Sequence, residues 1–305
     1  MQRSLKDYII ISFKGLAMGA ADAVPGVSGG TIAFISGIYE ELITSISNVN
    51  GSLFKTLFSK GIKAFWQQVN GNFLLALLSG ILISFVSFMK LAKYLLEHHP
   101  VLIWSFFFGL IVASIYFVGK QITKWNLVSI IALIIGAGIA FYISKLPSLG
   151  TNDSSWFLFL AGAIAICAMI LPGISGSFIL IILGAYKTLS NAIHDIDIKK
   201  IVLFGTGAVI GLLSFSHVLK WLFKHYHNIT LALLTGFIFG SLNKVWPWKK
   251  TLTWHTDTKG IKSPLLQESV SPFSFDGENQ ILFAVVLMIL GFLTILILER
   301  LGSKK

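Results

Sequence analysis

A chain of 305 residues that is 55% hydrophobic and 12% charged, with a mean hydropathy of +0.80, holds several charge-free stretches of about twenty residues, long enough to cross hydrocarbon, and so reads as an integral, polytopic membrane protein. Its formal charge of +11 is spread over loops and membrane edges without a soluble basic domain, so anionic lipid headgroups are the expected partners and nucleic acid is not. The single cysteine, Cys167, lies inside an apolar run and excludes a disulfide framework or a cysteine metal site within one chain; no metal or cofactor is expected.

The first apolar run is cut by Lys14, which leaves residues 8–13 too short for a signal peptide although Ala21-Asp22-Ala23 loosely mimics a cleavage site. A-D-A-V-P-G-V-S-G-G-T-I-A-F-I-S-G-I-Y, residues 21–39, then interrupts what should be a continuous helix. Pro25 removes a backbone donor and biases Val24 away from helix, while Gly26, Gly29 and Gly30 permit backbone conformations that other residues avoid. Ser28 or Thr31 can cap a new helix over 32–47, leaving unpaired N–H groups aimed at the break, where they would suit a phosphate. The competing reading is a kink that serves packing alone. A nucleotide loop is excluded, because G-V-S-G-G-T lacks the Gly-Lys-Ser/Thr ending and follows no soluble strand. Asp22 and Lys14 are charges at a depth where charge is costly: Asp22 could accept N–H groups from the break or carry a coupling proton, and Lys14 needs an anionic partner. Glu40 and Glu41 read as a solvated interfacial pair.

Beyond a lysine-bearing loop over 48–70, plain apolar spans cover 73–89, 101–119 and 125–144. A second broken segment, L-P-G-I-S-G-S-F, sets Pro172, Gly173, Ser175, Gly176 and Ser177 in the pattern of the first, and spans over 201–219, 229–242 and 280–298 follow. Continuous apolar character without alternation makes all of these helices, so the fold class is an all-α membrane protein and not a barrel. Lys90 and Lys93 after one span, and His217 and Lys220 in its counterpart, are candidate headgroup-capturing residues, with snorkelling as the plainer reading. The polar segment 243–279 reads as an extracytoplasmic loop, with Trp246, Trp248 and Trp254 as interfacial anchors. Gly15 with Gly19, Gly207 with Gly211 and Gly236 with Gly240 have the spacing of helix packing.

The chain repeats itself. Pro25, Gly26, Ser28, Gly29, Gly37 and Tyr39 align with Pro172, Gly173, Ser175, Gly176, Gly184 and Tyr186; Gly80 and His98 align with Gly207 and His225; Gly138 aligns with Gly291. The whole chain is thus a single membrane domain of two halves, 13–145 and 158–301. Each half has one broken segment followed by three spans. If the broken segment enters and leaves on one side, the second half must lie upside down relative to the first, an inverted repeat with its binding site near the midplane. Lysine and arginine placement puts both termini in the cytoplasm.

D-A-V-P-G-V-S-G-G-T-I-A with G-I-Y-E-E-L-I, and L-P-G-I-S-G-S-F with L-G-A-Y, resemble the bacterial polyprenyl-phosphate transporter family over nearly the whole chain. The resemblance implies translocation of undecaprenyl phosphate from the outer to the inner leaflet of the cytoplasmic membrane, with no enzymatic activity. It carries the family's motif positions onto Asp22, Pro25, Gly26, Ser28, Gly29, Gly30 and Thr31, and onto Pro172, Gly173, Ser175, Gly176 and Ser177. Two rivals stand beside it. A small-anion channel or transporter also uses opposed broken helices. An undecaprenyl-diphosphate phosphatase would need cationic and nucleophilic groups at the break, whereas the arginines, Arg3 and Arg300, lie at the chain ends.

Overall fold

The computed structural model describes residues 3–24, 28–146, 154–256 and 262–302; Pro25 and Gly26 fall outside them. Ser4 opens helix α1 (Leu5–Asp22) with a capping box, its hydroxyl accepting from the Asp7 N–H while the Asp7 carboxylate accepts from the Ser4 N–H. Two short helices, α2 (Gly29–Ile35) and α3 (Tyr39–Ser47), follow the first break, and α4 (Gly51–Gln68), α5 (Gly71–His98), α6 (Pro100–Gly119) and α7 (Leu127–Lys145) complete the first half. The second half again pairs a long helix with two short ones, α8 (Ser155–Ile170), α9 (Gly176–Ile182) and α10 (Tyr186–His194), then runs directly into the long α11 (Ile198–Gly240) without a counterpart of α4, and ends with α12 (Ile281–Gly302). Helices α5, α6, α7 and α11 are each long and apolar enough to cross a membrane, so this is an α-helical multi-pass membrane protein.

The expected spans over 201–219 and 229–242 are the two arms of α11, two helices joined at a kink at Tyr226 (φ −134°, ψ 45°). Its counterpart in the first half is His99 (φ −134°, ψ 50°), where α5 ends and α6 begins. The two bends have the same backbone; Pro100 follows the first, and no proline or glycine follows the second.

The glycines of the repeat set which helices touch. A Cβ on Gly15 would overlap the Leu77 carbonyl, and one on Gly80 the Ser12 carbonyl, so α1 and α5 meet backbone to backbone. Gly162 and Gly207 do the same for α8 and α11 against the carbonyls of Phe204 and Phe159. In lipid there is little hydrophobic drive between helices, so close backbone approach through small residues is what gives such pairs their van der Waals contact. The α6–α12 and α7–α11 seams are built the same way around Gly291 and Gly236.

Three segments differ from the sequence expectation. The 48–70 loop contains helix α4, started by Asn50, whose side chain accepts from the Ser52 N–H. The helix expected over 32–47 is two helices, because Gly37 (φ +71°) ends α2 and lets the Ile38 N–H return to the Ala33 carbonyl. Gly184 (φ +71°) ends α9 in the same way, and α9 and α10 lie at 108° to one another. The 243–279 segment carries a β-hairpin of β1 (Lys249–Thr256) and β2 (Lys262–Ser269), paired antiparallel from Lys249 opposite Ser269. Trp248 is not a lipid-facing anchor: it is 3% exposed, packs with Val101 and Ala284, and donates its indole N–H to the Asn279 carbonyl. Trp246 donates likewise to the Val270 carbonyl, so both indoles tie the hairpin segment down onto α6 and α12. The Trp254 side chain lies outside the described ones.

Gly207→Ala is expected to lower the thermal midpoint of the purified protein, since overpacking costs about 1–3 kcal/mol. Gly138→Ala, where a Cβ meets nothing within 4 Å, is expected to leave it unchanged or raise it. Equal shifts for both would contradict the close-packed seam.

Candidate functional site

The first break is closed by its own side chains. Helix α1 ends at Asp22, and its carboxylate accepts the Gly29 N–H at 2.6 Å. Ser28, in extended backbone, accepts the Gly30 N–H at 3.2 Å and so caps α2. Glycine is required at 29 because a Cβ there would run into the Asp22 carboxyl group, and at 30 because it would meet the Ile170 carbonyl at 2.7 Å. Asp22 therefore occupies the place at the start of α2 that an anion would take. At the other end of α2, Lys14 donates to the Ser36 carbonyl at 2.6 Å, a cation on the negative end of a helix.

The second break starts at Leu171 in extended backbone, turns at Pro172 and Gly173 (φ +86°), and restarts as α9 after Ser175. No side chain caps α9; the Ser175 and Ser177 hydroxyls bond each other at 2.9 Å.

The two breaks are brought together, although they are more than 130 residues apart in sequence. Thr31 Oγ1 accepts the Gly173 N–H at 2.9 Å, Ser28 Oγ donates to the Met169 carbonyl at 3.3 Å, and the buried Tyr39 hydroxyl donates to the Ile170 carbonyl at 3.2 Å. The freed carbonyls at the end of α8 are satisfied by hydroxyls from the first half, as irregular backbone in a membrane protein requires. Phe34, Tyr39 and Phe223 cluster behind this contact, with ring centroids 4.8 Å apart for Phe34 and Tyr39 and 5.9 Å for Tyr39 and Phe223.

A narrow cleft, with about 10 Å³ open to a water, lies beside the second break, lined by Gly173, Ser175 and Phe178, by Ser144 of α7, and by Ser241 and Lys244 of the 3-10 turn that follows α11. Lys244 holds its ammonium 3.9 Å from the centre of the Phe178 ring. Sequence reasoning missed Lys244 and took it for one of the lysines of a polar loop. The only available signal was its i, i+3 spacing from Ser241, which has meaning only once the 3-10 turn is known. Lys249 is close by, donating to the Lys244 carbonyl and lying 4.6 Å from the Trp104 ring centre.

The other candidates are placed elsewhere. Lys220 donates to Asn48 at 3.1 Å and so ties α11 to the end of α3. His217 is exposed, with its ring 2.6 Å from the Leu213 carbonyl of its own helix. Lys90 and Lys93 are on α5, and their side chains lie outside the described ones. Of the acidic pair, Glu41 is not simply solvated: Arg3 forks onto it at 2.5 and 2.6 Å and Asn70 adds a third bond at 2.8 Å. Glu40 faces His227 at 3.0 Å.

A multi-pass helical membrane protein whose two broken helices meet has the architecture of a broken-helix transporter. A family model described as undecaprenyl phosphate translocase-like matches residues 18–263, and the chain belongs to that family. Among its relatives, the polyprenyl-phosphate transporter of Vibrio cholerae is 46% identical over 302 residues, 98% of each chain. The polyprenyl-phosphate transporter of Staphylococcus aureus is 32% identical over 252 residues, 77% of this chain and 84% of that one. Both are named as transporters, in agreement with the expectation that the chain is not an enzyme. No solved structure matches it.

Asp22→Ala leaves the Gly29 N–H without its acceptor and is expected to destabilise the purified protein by about 1–3 kcal/mol, with Asp22→Asn, which keeps an acceptor oxygen, costing less. Equal thermal midpoints for the two variants would show that the hydrogen bond does not hold the break. Burial, with the neighbouring Lys244 charge, pushes the Lys249 ammonium from 10.5 down to about 7. Between those values the unfolded chain binds the extra proton, so stability rises with pH across that window and the full cost of burying the charge is felt below it. Lys249→Met is thus expected to raise the thermal midpoint more at pH 6 than at pH 9; a gain independent of pH would rule this out.

Proposed function

We propose that the chain moves undecaprenyl phosphate from the outer to the inner leaflet of the bacterial cytoplasmic membrane, returning the carrier lipid for reuse. The observation that carries this reading is the meeting of the two broken helices through Thr31 and Gly173, Ser28 and Met169, and Tyr39 and Ile170. A lipid phosphate needs a polar path for its head and none for its tail. A seam of hydroxyls and irregular backbone at the contact between two half-helices supplies the first, while the prenyl chain stays in lipid between helices. Family membership and the names of both relatives support the substrate class.

In this reading each broken segment is re-entrant, the second half is inverted relative to the first, the termini are cytoplasmic and the hairpin segment is external. The two breaks are unequally prepared. At the second, Ser175 and Ser177 bond each other, with no further partner among the described residues, beside a cleft; at the first, Asp22 already sits on Gly29. A phosphate received at Ser175, Gly176 and Ser177 passes across the seam to Ser28, Gly29, Gly30 and Thr31, where it displaces the Asp22 carboxylate from the Gly29 N–H. Asp22 then acts as a stand-in anion that keeps the empty first break satisfied. Exposure of the two breaks in turn completes the transfer.

The test is loss of externally reactive undecaprenyl phosphate from liposomes carrying the purified protein. The intact chain is expected to accelerate the loss, with Ser28→Ala and Ser175→Ala each slowing it about fivefold or more, the worth of a hydrogen bond to a charged group. If the lipid stays in place while chloride or inorganic phosphate leaks through, the chain is a small-anion conductor and the lipid reading falls.

A further inference from the structure

We propose that Lys244 is the cation that selects a phosphate monoester head over the diester heads of the surrounding bilayer, in the cleft between the second break and α7. The proposal rests on the translocation reading and names the recognition step within it.

The geometry starts with the end of α11. The helix stops at Gly240, and Ser241–Val245 continues as a 3-10 turn, in which residues three apart eclipse one another; Ser241 and Lys244 therefore share one face and both line the cleft. The Ser241 hydroxyl donates to the Ile238 carbonyl and the Ser144 hydroxyl to the Phe141 carbonyl, with Asn243 donating to Ser144, so each serine meets a phosphate oxygen by turning its proton away from its own helix. Lys244 is different. Its ammonium carries three donors, yet what it faces is the Phe178 ring. An aromatic face attracts a cation without neutralising it or accepting its hydrogen bonds in full. Among the described residues no carboxylate pairs with Lys244 or with Lys249, and Lys249 adds a second positive charge in contact with the same turn. With no described carboxylate beside it, the desolvated Lys244 ammonium is costly, and binding an anion there offsets the cost.

The chemistry of the site indicates which anion. A monoester is a dianion with three terminal oxygens, able to meet one ammonium together with the hydroxyls of Ser144, Ser175 and Ser241. A phosphodiester carries one charge and two such oxygens, so it meets the same donors with half the charge and one acceptor fewer. With about 10 Å³ open to a water, the cleft admits a phosphate oxygen and not a lipid tail.

The experiment uses the full chain in phosphatidylcholine nanodiscs and follows binding of a fluorescent polyprenyl monophosphate. Phosphatidic acid, a monoester, is expected to compete, and phosphatidylglycerol, a diester, is expected not to at the same concentration. Lys244→Met is expected to weaken monoester binding about tenfold or more, the loss of a charge-assisted contact, and to abolish the preference over the diester, whereas Lys244→Arg retains it. Lys244→Gln repeats the comparison should Lys244→Met not fold. Inorganic phosphate competing as well as phosphatidic acid assigns the site to free phosphate, and competition by phosphatidic acid alone assigns it to a lipid head. If the intact protein binds the polyprenyl monophosphate and the Lys244 variants bind it equally well with the same preference, the role of Lys244 is overturned and the translocation reading stands. If the intact protein neither binds nor moves the lipid, it is the translocation reading that fails.

Discussion

A backbone interrupted inside a membrane has to find partners for its freed N–H and C=O groups from within the protein, because hydrocarbon offers none. Here the interrupted helix ends use one another. The end of α8 presents the carbonyls of Met169 and Ile170, and the first half answers with the hydroxyls of Ser28 and Tyr39; the Gly173 N–H finds Thr31. Without this exchange each break would leave buried polar groups unpaired at a cost of several kcal/mol apiece. The same exchange obliges the two breaks to lie together, and so concentrates the polar, irregular backbone of the protein in one place.

Around that place the frame is built from glycine seams. Gly15 with Gly80 and Gly162 with Gly207 bring α1 to α5 and α8 to α11, and the short helices α2 and α9 are carried between these pairs and the rest of the bundle. A seam with backbones in contact has little freedom to shear, and such seams run between the halves as well as within them: Gly291 brings α12 to α6 and Gly236 brings α11 to α7. Lys220 to Asn48 and Glu40 to His227 add polar links between α11 and the region of α3.

The halves share a plan but not a chemistry. Asp22 aligns with Met169 and Thr31 with Phe178, so the first break carries its own anion and a hydroxyl where the second has a thioether and a ring. The ring is the one over which Lys244 lies. The first break thus carries a carboxylate on the Gly29 N–H, and the second lies beside a lysine.

The sequence by itself determined the elements: where apolar runs are long enough to cross a membrane, where Pro25 and Pro172 end them, and which glycines recur in register. Those properties are local or periodic, and a chain that must satisfy its backbone within each span expresses them directly. The bends at Gly37 and Gly184 were equally local but were hidden, since a glycine inside an apolar stretch also reads as a packing residue. Only the tertiary structure decided the partners. That Thr31 meets Gly173, that Asp22 turns back onto Gly29, that Trp248 is buried beneath a hairpin, and that Lys244 enters a cleft with Ser144 and Ser175 all depend on how helices distant in sequence are docked. A side chain's role in a membrane is set by which polar group it reaches, and that is fixed by docking and not by sequence spacing.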